Sequence, residues 1–234
     1  MNIVVTGASK GIGKAIAATF SDPANQVFIC ARDENELAEA ANELAEKKPG
    51  AVVRFFPADL SGKKGVLKFA DWLLKQDIQI DILVNNAGQF LPGCVYNESE
   101  GTLEKMIEVN LYSAYHLTRA LLPRMMEAKS GHIFNMCSIA SLQAYNNGGS
   151  YSISKFALMG FSKNLRAEMM PFNIKVTAVY PGAVYTSSWE DSGIEQSRIM
   201  EVKDIANMIY AASALSPQAC VEDIIIRPQA GDLP

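Results

Sequence analysis

The sequence predicts an α/β fold: a doubly wound parallel sheet of seven strands with helices covering both faces. Three observations carry this expectation. Short runs rich in Val, Ile and Phe recur along the chain, stretches with helical periodicity separate them, and the runs are continuously apolar instead of alternating with polar residues. Continuous apolar strands belong to sheets buried on both faces, and strand–helix alternation implies crossovers between parallel neighbours.

Taken in order, IVVTG (3–7) is the first strand and runs on into the helical spacing of KAIAATF (14–20). QVFICA (26–31) is the second strand, and ENELAEAANELAEKK (34–48) is a charged, Ala-rich amphipathic helix. AVVRFF (51–56) and IDILVN (80–85) follow as strands, then the more apolar helix LYSAYHLTRALLPRMMEA (111–128). HIFNMC (132–137) is the fifth strand, YSISKFALMGFSKNLRAEM (151–169) another apolar helix, and IKVTAVY (174–180) the sixth strand. VKDIANMIYAA (202–212) has helical spacing, and DIIIRP (223–228) completes the sheet. Right-handed crossovers place ligands beyond the carboxyl ends of such strands, where the winding reverses. The residues just after IVV, ILV, FNMC and VTAVY are therefore expected to carry function.

At 234 residues and 49% hydrophobic, with no linker-like tract or repeat, the chain is expected to form a single domain over residues 1–234. A net charge of −4 and a pI near 5.3, with scattered lysines and arginines, argue against a nucleic-acid surface. The start has no signal-peptide pattern and no apolar run approaches the ~18 residues that span a bilayer, so no membrane partner and a soluble, cytoplasmic protein are expected. Cys30, Cys94, Cys137 and Cys220 lie far apart, outside any paired metal spacing, and read as small buried side chains. His116 and His132 are isolated, and no metal site is expected.

TGASKGIG (6–13) stands at the first strand end. Glycine permits a tight turn and removes the Cβ that would obstruct a phosphate, while the amides opening the next helix attract negative charge. A dinucleotide pyrophosphate suits that arrangement, although a helix packed tightly on a strand would use the same glycines. At the end of the second strand an acidic residue would bond an adenosine ribose and repel a 2′-phosphate. Ala31 and Arg32 stand there instead. With Lys10, Arg32 supplies a second cation for a 2′-phosphate, favouring NADP(H) over NAD; the alternative is a solvated surface pair.

In YSISK, Tyr151 and Lys155 are four residues apart and share a helical face. A free tyrosine titrates near ~10, and a neighbouring ammonium favours its phenolate, which suits proton exchange beside a hydride transfer. Ser138, after the fifth strand, could polarise the carbonyl oxygen that Tyr151 protonates.

These pieces resemble the short-chain dehydrogenase/reductase family along nearly the whole chain: TGASKGIG (6–13), ADL (58–60), NNAG (85–88), Asn110, Ser138, YSISK (151–155) and PGAVYT (181–186). The resemblance implies a single-domain Rossmann fold and an NADP(H)-dependent enzyme, with the 3-oxoacyl-carrier reductases the nearest-looking subgroup. It implies a catalytic set of Asn110, Ser138, Tyr151 and Lys155. Asn110 would help to hold a water through its main chain, linking Lys155 to solvent, and Lys155 would both lower the Tyr151 pKa and hold the nicotinamide ribose. It further implies cofactor contacts from Gly7, Ser9, Lys10, Gly11, Ile12 and Gly13 at the pyrophosphate end. Asp59 and Leu60 would lie along the adenine, Asn85, Ala87 and Gly88 along the adenosine ribose, and Pro181, Gly182 and Thr186 around the nicotinamide. Plainer roles stand beside some of these: Asn86 bonding neighbouring strands, Asp59 capping a helix, and Pro181 and Gly182 ending a strand.

Two stretches depart from the family. SSWEDSGIEQSRIME (187–201) is a short polar lid whose one large aromatic, Trp189, either shields the nicotinamide or docks the loop. The ending IIIRPQAGDLP lacks the glycine-rich close that commonly supports subunit contacts in the family. The apolar helices 110–128 and 149–170 are expected to pair copies into a homodimer or homotetramer. The function expected is hydride exchange with a small carbonyl or alcohol substrate. The alternatives are a weakly catalytic, cofactor-binding regulatory or scaffold protein, and an epimerase or dehydratase, which the chain is too short to accommodate.

Overall fold

A computed structural model describes residues 1–189 and 193–233. Seven parallel strands form one sheet in the order β3-β2-β1-β4-β5-β6-β7. They are β1 (Asn2–Thr6), β2 (Gln26–Ala31), β3 (Val52–Pro57), β4 (Ile82–Asn85), β5 (Gly131–Met136), β6 (Ile174–Pro181) and β7 (Asp223–Ile226). Every apolar run expected as a strand is one. The winding reverses between β1 and β4, which pair in register from Ile3 opposite Ile82 to Val5 opposite Val84. A crevice therefore opens beyond their carboxyl ends, where TGASKGIG and NNAG lie side by side.

Two cores form because successive strand residues point to opposite faces. Ile3 and Val5 of β1 join the core beneath α1 (Gly11–Phe20), α2 (Glu34–Lys47) and α7 (Val202–Ser213). Val4 joins the core beneath α3 (Lys63–Leu74), α5 (Ser113–Ala128) and α6 (Gly149–Met169). Phe20 fills the first core, and Phe28 and Phe69 fill the second; all are fully buried. Each such side chain contributes roughly 1.5–3 kcal/mol.

A short helix, α4 (Thr102–Ile107), runs through one π-helical turn, Glu108–Tyr112, into α5. Asn110, expected in an ordinary helix, sits in that wide turn. Cys30 and Cys137 are buried as expected, whereas Cys94 and Cys220 are only partly so. His132 is buried, its Nε2 2.7 Å from Thr177 Oγ1 and its pKa pushed down to about 3 by burial. Among the described residues no helix is long and apolar enough to cross a membrane.

Candidate active site

A cleft of about 1340 Å³ runs across the carboxyl ends of the strands, from the glycine turn after β1 to the loops after β4, β5 and β6. That exceeds the roughly 300–1,000 Å³ of an ordinary small-molecule pocket and leaves room for a dinucleotide with a substrate beside it. The glycine turn is built by close approach. A Cβ on Gly13 would overlap the Gly7 carbonyl oxygen and stand 2.5 Å from Asn86 Nδ2. Gly7, with φ of +63°, lies against the Ala87 backbone. Asn86 locks the junction, donating from Nδ2 to the carbonyls of Thr6 and Gly7 at 2.9 and 3.0 Å.

The turn delivers the chain into α1 with its amide end facing the cleft. Lys10, the residue before α1, adds no side-chain cap, and the first turn, GIGK, carries no carboxylate. The positive helix end is therefore left for an anion, a phosphate group fitting both charge and space. By contrast α2 is capped by Asp33, whose carboxylate accepts from the Glu36 amide at 2.9 Å.

At the other end of the cleft, β5 delivers Ser138 and α6 delivers Tyr151 and Lys155. Ser138 is buried, its Oγ accepts the Ala140 amide at 3.1 Å, and it lies within hydrogen-bonding reach of Tyr151. Lys155 is buried to 5% exposure and donates from Nζ to the Met136 carbonyl at 2.7 Å. Its Nζ lies 5.8 Å from the centre of the Tyr151 ring. Burial pushes the Lys155 pKa down from 10.5 to about 8. The Tyr151 hydroxyl is raised, because burial outweighs the hydrogen bond from Ser138 that pulls it down. This corrects the expectation of an acidified phenol: in the protein alone desolvation dominates.

Most of the residues singled out in the sequence line this cleft: Gly7, Ser9, Lys10, Gly11, Ile12 and Gly13 from the turn, Arg32 after β2, and Asp59 and Leu60 after β3. Ala87, Gly88, Ser138, Tyr151, Lys155, Pro181, Gly182 and Thr186 line it too. The Thr186 methyl stands 3.4 Å from where a Gly11 Cβ would be, so the loop after β6 faces the glycine turn directly.

Two residues fall elsewhere. Asn85 is buried behind the cleft, donating to Thr118 Oγ1 at 2.9 Å and Asn135 Oδ1 at 2.8 Å, which corrects its expected place beside a ribose. It pins β4 to β5 and α5. Asn110 is also buried, its amide bonded to both Gln89 backbone groups and to Ser154 Oγ. Its Oδ1 would lie 3.1 Å from a Gly88 Cβ, and Lys155 Nζ 3.5 Å, so it supports the lysine's surroundings from behind. Asp59 caps no helix. Its carboxylate accepts the Ser61 amide, which holds its pKa low, and α3 begins only after Gly62.

Several lining residues were not anticipated. Glu36 holds Lys10 at 3.4 Å and Ser9 at 3.3 Å in the corner where Lys10 and Arg32 were expected to meet a 2′-phosphate. Phe90 packs edge-on to Tyr151 with ring centres 4.9 Å apart. Gln143, Tyr145, Asn146 and Asn147 line the cleft as well, and Trp189, expected either over the nicotinamide or docked on the domain, also lines it. Residues 190–192 of the expected lid lie outside the described residues. The C-terminal ending lies along the cleft: Arg227 pairs with Asp232, and Arg198 donates to the Gly231 and Asp232 carbonyls. Pattern reasoning had a signal for Trp189 and for the ending, through their departures from the family, and none for Glu36, Phe90 or residues 143–147.

The profile of the short chain dehydrogenase family matches residues 1–197. Sepiapterin reductase of Chlorobaculum tepidum is 32% identical over 239 residues, spanning 99% of this chain and 97% of its own. A metagenomic short-chain oxidoreductase solved in complex with NADP superposes with a TM-score of 0.84 at 30% identity, covering 98% of this chain and 97% of that one. L-sorbose reductase of Gluconobacter frateurii, solved with NADPH and L-sorbose, superposes with a TM-score of 0.89 at 27% identity, covering 99% and 96%. Fold, cleft and relatives agree along nearly the full length, and the chain belongs to the short-chain dehydrogenase family.

Proposed function

We propose that the protein is an NADP(H)-dependent oxidoreductase that interconverts a carbonyl compound and the corresponding secondary alcohol, with Tyr151 as proton donor and acceptor. The observation that carries this reading is the convergence of Ser138, Tyr151 and Lys155 at one end of a cleft whose other end is a phosphate-fitting glycine turn. Related proteins of this fold solved with NADP or NADPH support the cofactor.

When bound, the cofactor supplies or accepts the hydride at the carbonyl carbon. The Gly7–Gly13 turn would hold its pyrophosphate and Lys10 and Arg32 its 2′-phosphate. Asp59 and Leu60 would lie along its adenine, and Ala87 and Gly88 along the adenosine ribose. Lys155 would hold the nicotinamide ribose, with Pro181, Gly182 and Thr186 around the nicotinamide. In the reductive direction Ser138 donates to the substrate oxygen and Tyr151 gives up its phenolic proton to the same atom. Lys155, anchored on Met136 and largely protonated at pH 7, keeps a positive charge beside Tyr151 that favours the resulting phenolate.

The substrate end combines aromatic Phe90 and Tyr145 with the amides of Gln143, Asn146 and Asn147, and its arginine, Arg227, is already paired with Asp232. That lining favours an uncharged, polar carbonyl compound, in keeping with relatives named for sepiapterin and L-sorbose. Two copies pair through α6, where Ile153 and Phe156 are exposed, and the π-helical turn that leads into α5, where Tyr112 is exposed.

The test is NADPH consumption with a panel of dicarbonyls, ketoses, pterins, simple aldehydes and 3-oxoacyl compounds. Tyr151→Phe should lower turnover by roughly 10³-fold while leaving NADPH affinity within about 2-fold, since only a proton donor is lost. A variant as active as the parent overturns the assignment. A silent panel with NADPH bound favours the regulatory alternative.

A further inference from the structure

The helix that presents Tyr151 lacks a cap of its own. Gly148 precedes α6 in a helical conformation and offers no side chain, and the first turn, GSYS, contains no carboxylate. Glu98, from the loop that follows β4, lies 52 residues away in sequence and fills that place. Its Oε1 accepts the Ser150 amide at 2.8 Å, and its Oε2 accepts the Ser150 hydroxyl.

The berth is shaped for this side chain. Gly149 adopts φ of +27°, and a Cβ there would overlap the Glu98 carboxylate and stand 2.5 Å from the Gly93 carbonyl oxygen. A Cβ on Gly93 would come within 2.7 Å of Glu98 Cγ. The same two loops are stitched again next door, where the Gly93 amide donates to the Asn147 carbonyl at 3.0 Å and Cys94 Sγ to Asn147 Oδ1 at 3.0 Å. The loop also bears Phe90, which packs on the Tyr151 ring.

A carboxylate at a helix's amide end is held by charge-assisted hydrogen bonds and by the helix dipole. Here the residue it grips, Ser150, directly precedes Tyr151, so the grip sets where the phenol stands relative to Ser138. We propose that Glu98 is a positioning residue for the reaction: by capping α6 from a separate loop it fixes Tyr151 in line with Ser138, without touching cofactor or substrate. The inference rests on the proton-transfer role given to Tyr151 above.

Glu98→Ala tests it against wild type and Glu98→Gln, whose amide keeps an oxygen for the Ser150 N–H. In Glu98→Ala, kcat should fall by roughly 10- to 100-fold, the cost of an ångström-scale misplacement. KM and NADPH affinity should stay within about 2-fold, because the cap supports only the proton donor. Glu98→Gln should recover most of kcat. Hydrogen exchange at the amides of residues 150–152 should accelerate by roughly 5- to 10-fold in Glu98→Ala, the loss of about one capping interaction.

The exchange measurement needs no substrate, so its outcome is separable from any failure of the hydride-transfer reading, which Tyr151→Phe addresses. Unchanged exchange, a kcat within about 2-fold of wild type, or NADPH affinity lost in step with kcat each overturns the proposal. If Glu98→Ala does not fold, Ser150→Ala, which removes the hydroxyl half of the clamp, carries the same readouts, and an unaltered kcat with unaltered exchange overturns it.

Discussion

Replacing Lys155 by Met removes a charge the fold has had to desolvate. Drawing the ammonium's pKa from 10.5 to about 8 corresponds to about 3 kcal/mol of unfavourable burial at neutral pH. Met keeps the volume and loses the charge, but it leaves the Met136 carbonyl without the donor now 2.7 Å away, a loss of about 1–3 kcal/mol. At pH 7 the variant should therefore be as stable as the parent or up to about 2 kcal/mol more stable, while inactive.

The sign with pH follows from proton counts. Between pH 8 and 10.5 the unfolded chain holds the lysine's proton and the folded protein has released it, so this group's contribution makes the parent more stable as pH rises. Relative to the variant, the parent should gain about 2–3 kcal/mol from pH 7 to pH 10. Cys30 and Tyr145, raised in the fold, act in the opposite sense but titrate in both proteins and cancel in the difference, whereas the Cys137 thiol, which Lys155 pulls down, rises further in the variant. Urea unfolding of both proteins at several pH values measures it. A difference that stays flat within about 1 kcal/mol, or a variant more than about 2 kcal/mol less stable at pH 7, would refute the claim that Lys155 is held at the expense of stability.

Gly13→Ala should destabilise the fold by about 2 kcal/mol and lower Tm by roughly 4–8 °C, since its Cβ meets the Gly7 carbonyl and the Asn86 amide; a Tm within about 1 °C of wild type would show that the turn yields. Arg32→Glu should weaken NADPH by roughly 30-fold or more and NADH by less than about 3-fold, measured by fluorescence titration of each cofactor. An unchanged preference would make Arg32 a solvated surface charge.

The sheet was legible because each strand is an unbroken apolar run, and IVV, VFIC and ILV can be buried on both faces in only one kind of sheet. The chemistry at strand ends was legible because glycines and the Tyr151/Lys155 spacing are local patterns. What escaped depends on contacts between distant segments. Asn85 and Asn86 are neighbours in an unalternating strand end, and nothing in the pattern says that the first faces α5 and the second the glycine turn. Glu98 sits in a polar loop like any solvated acid until α6 is folded beside it. Glu36 belongs to an ordinary amphipathic helix, and only the packing of α2 beside the glycine turn brings it to Lys10.

The π-helical turn at Glu108–Tyr112 has a bearing on how the chain tolerates changes of length. Its additional residue lets Asn110 reach inward to Gln89 and Ser154 while the helical stretches on either side keep their apolar faces toward the sheet. Excising a single amino acid there would restore ordinary winding with Leu117 and Leu121 still facing the core, but it would withdraw Asn110 from Gln89 and Ser154, whereas the same excision within α5 would turn everything downstream by about 100°. The wide turn is thus the one place among these described helices where a residue can be gained or lost without rephasing the packing, and what it secures is the inward placement of the Asn110 side chain.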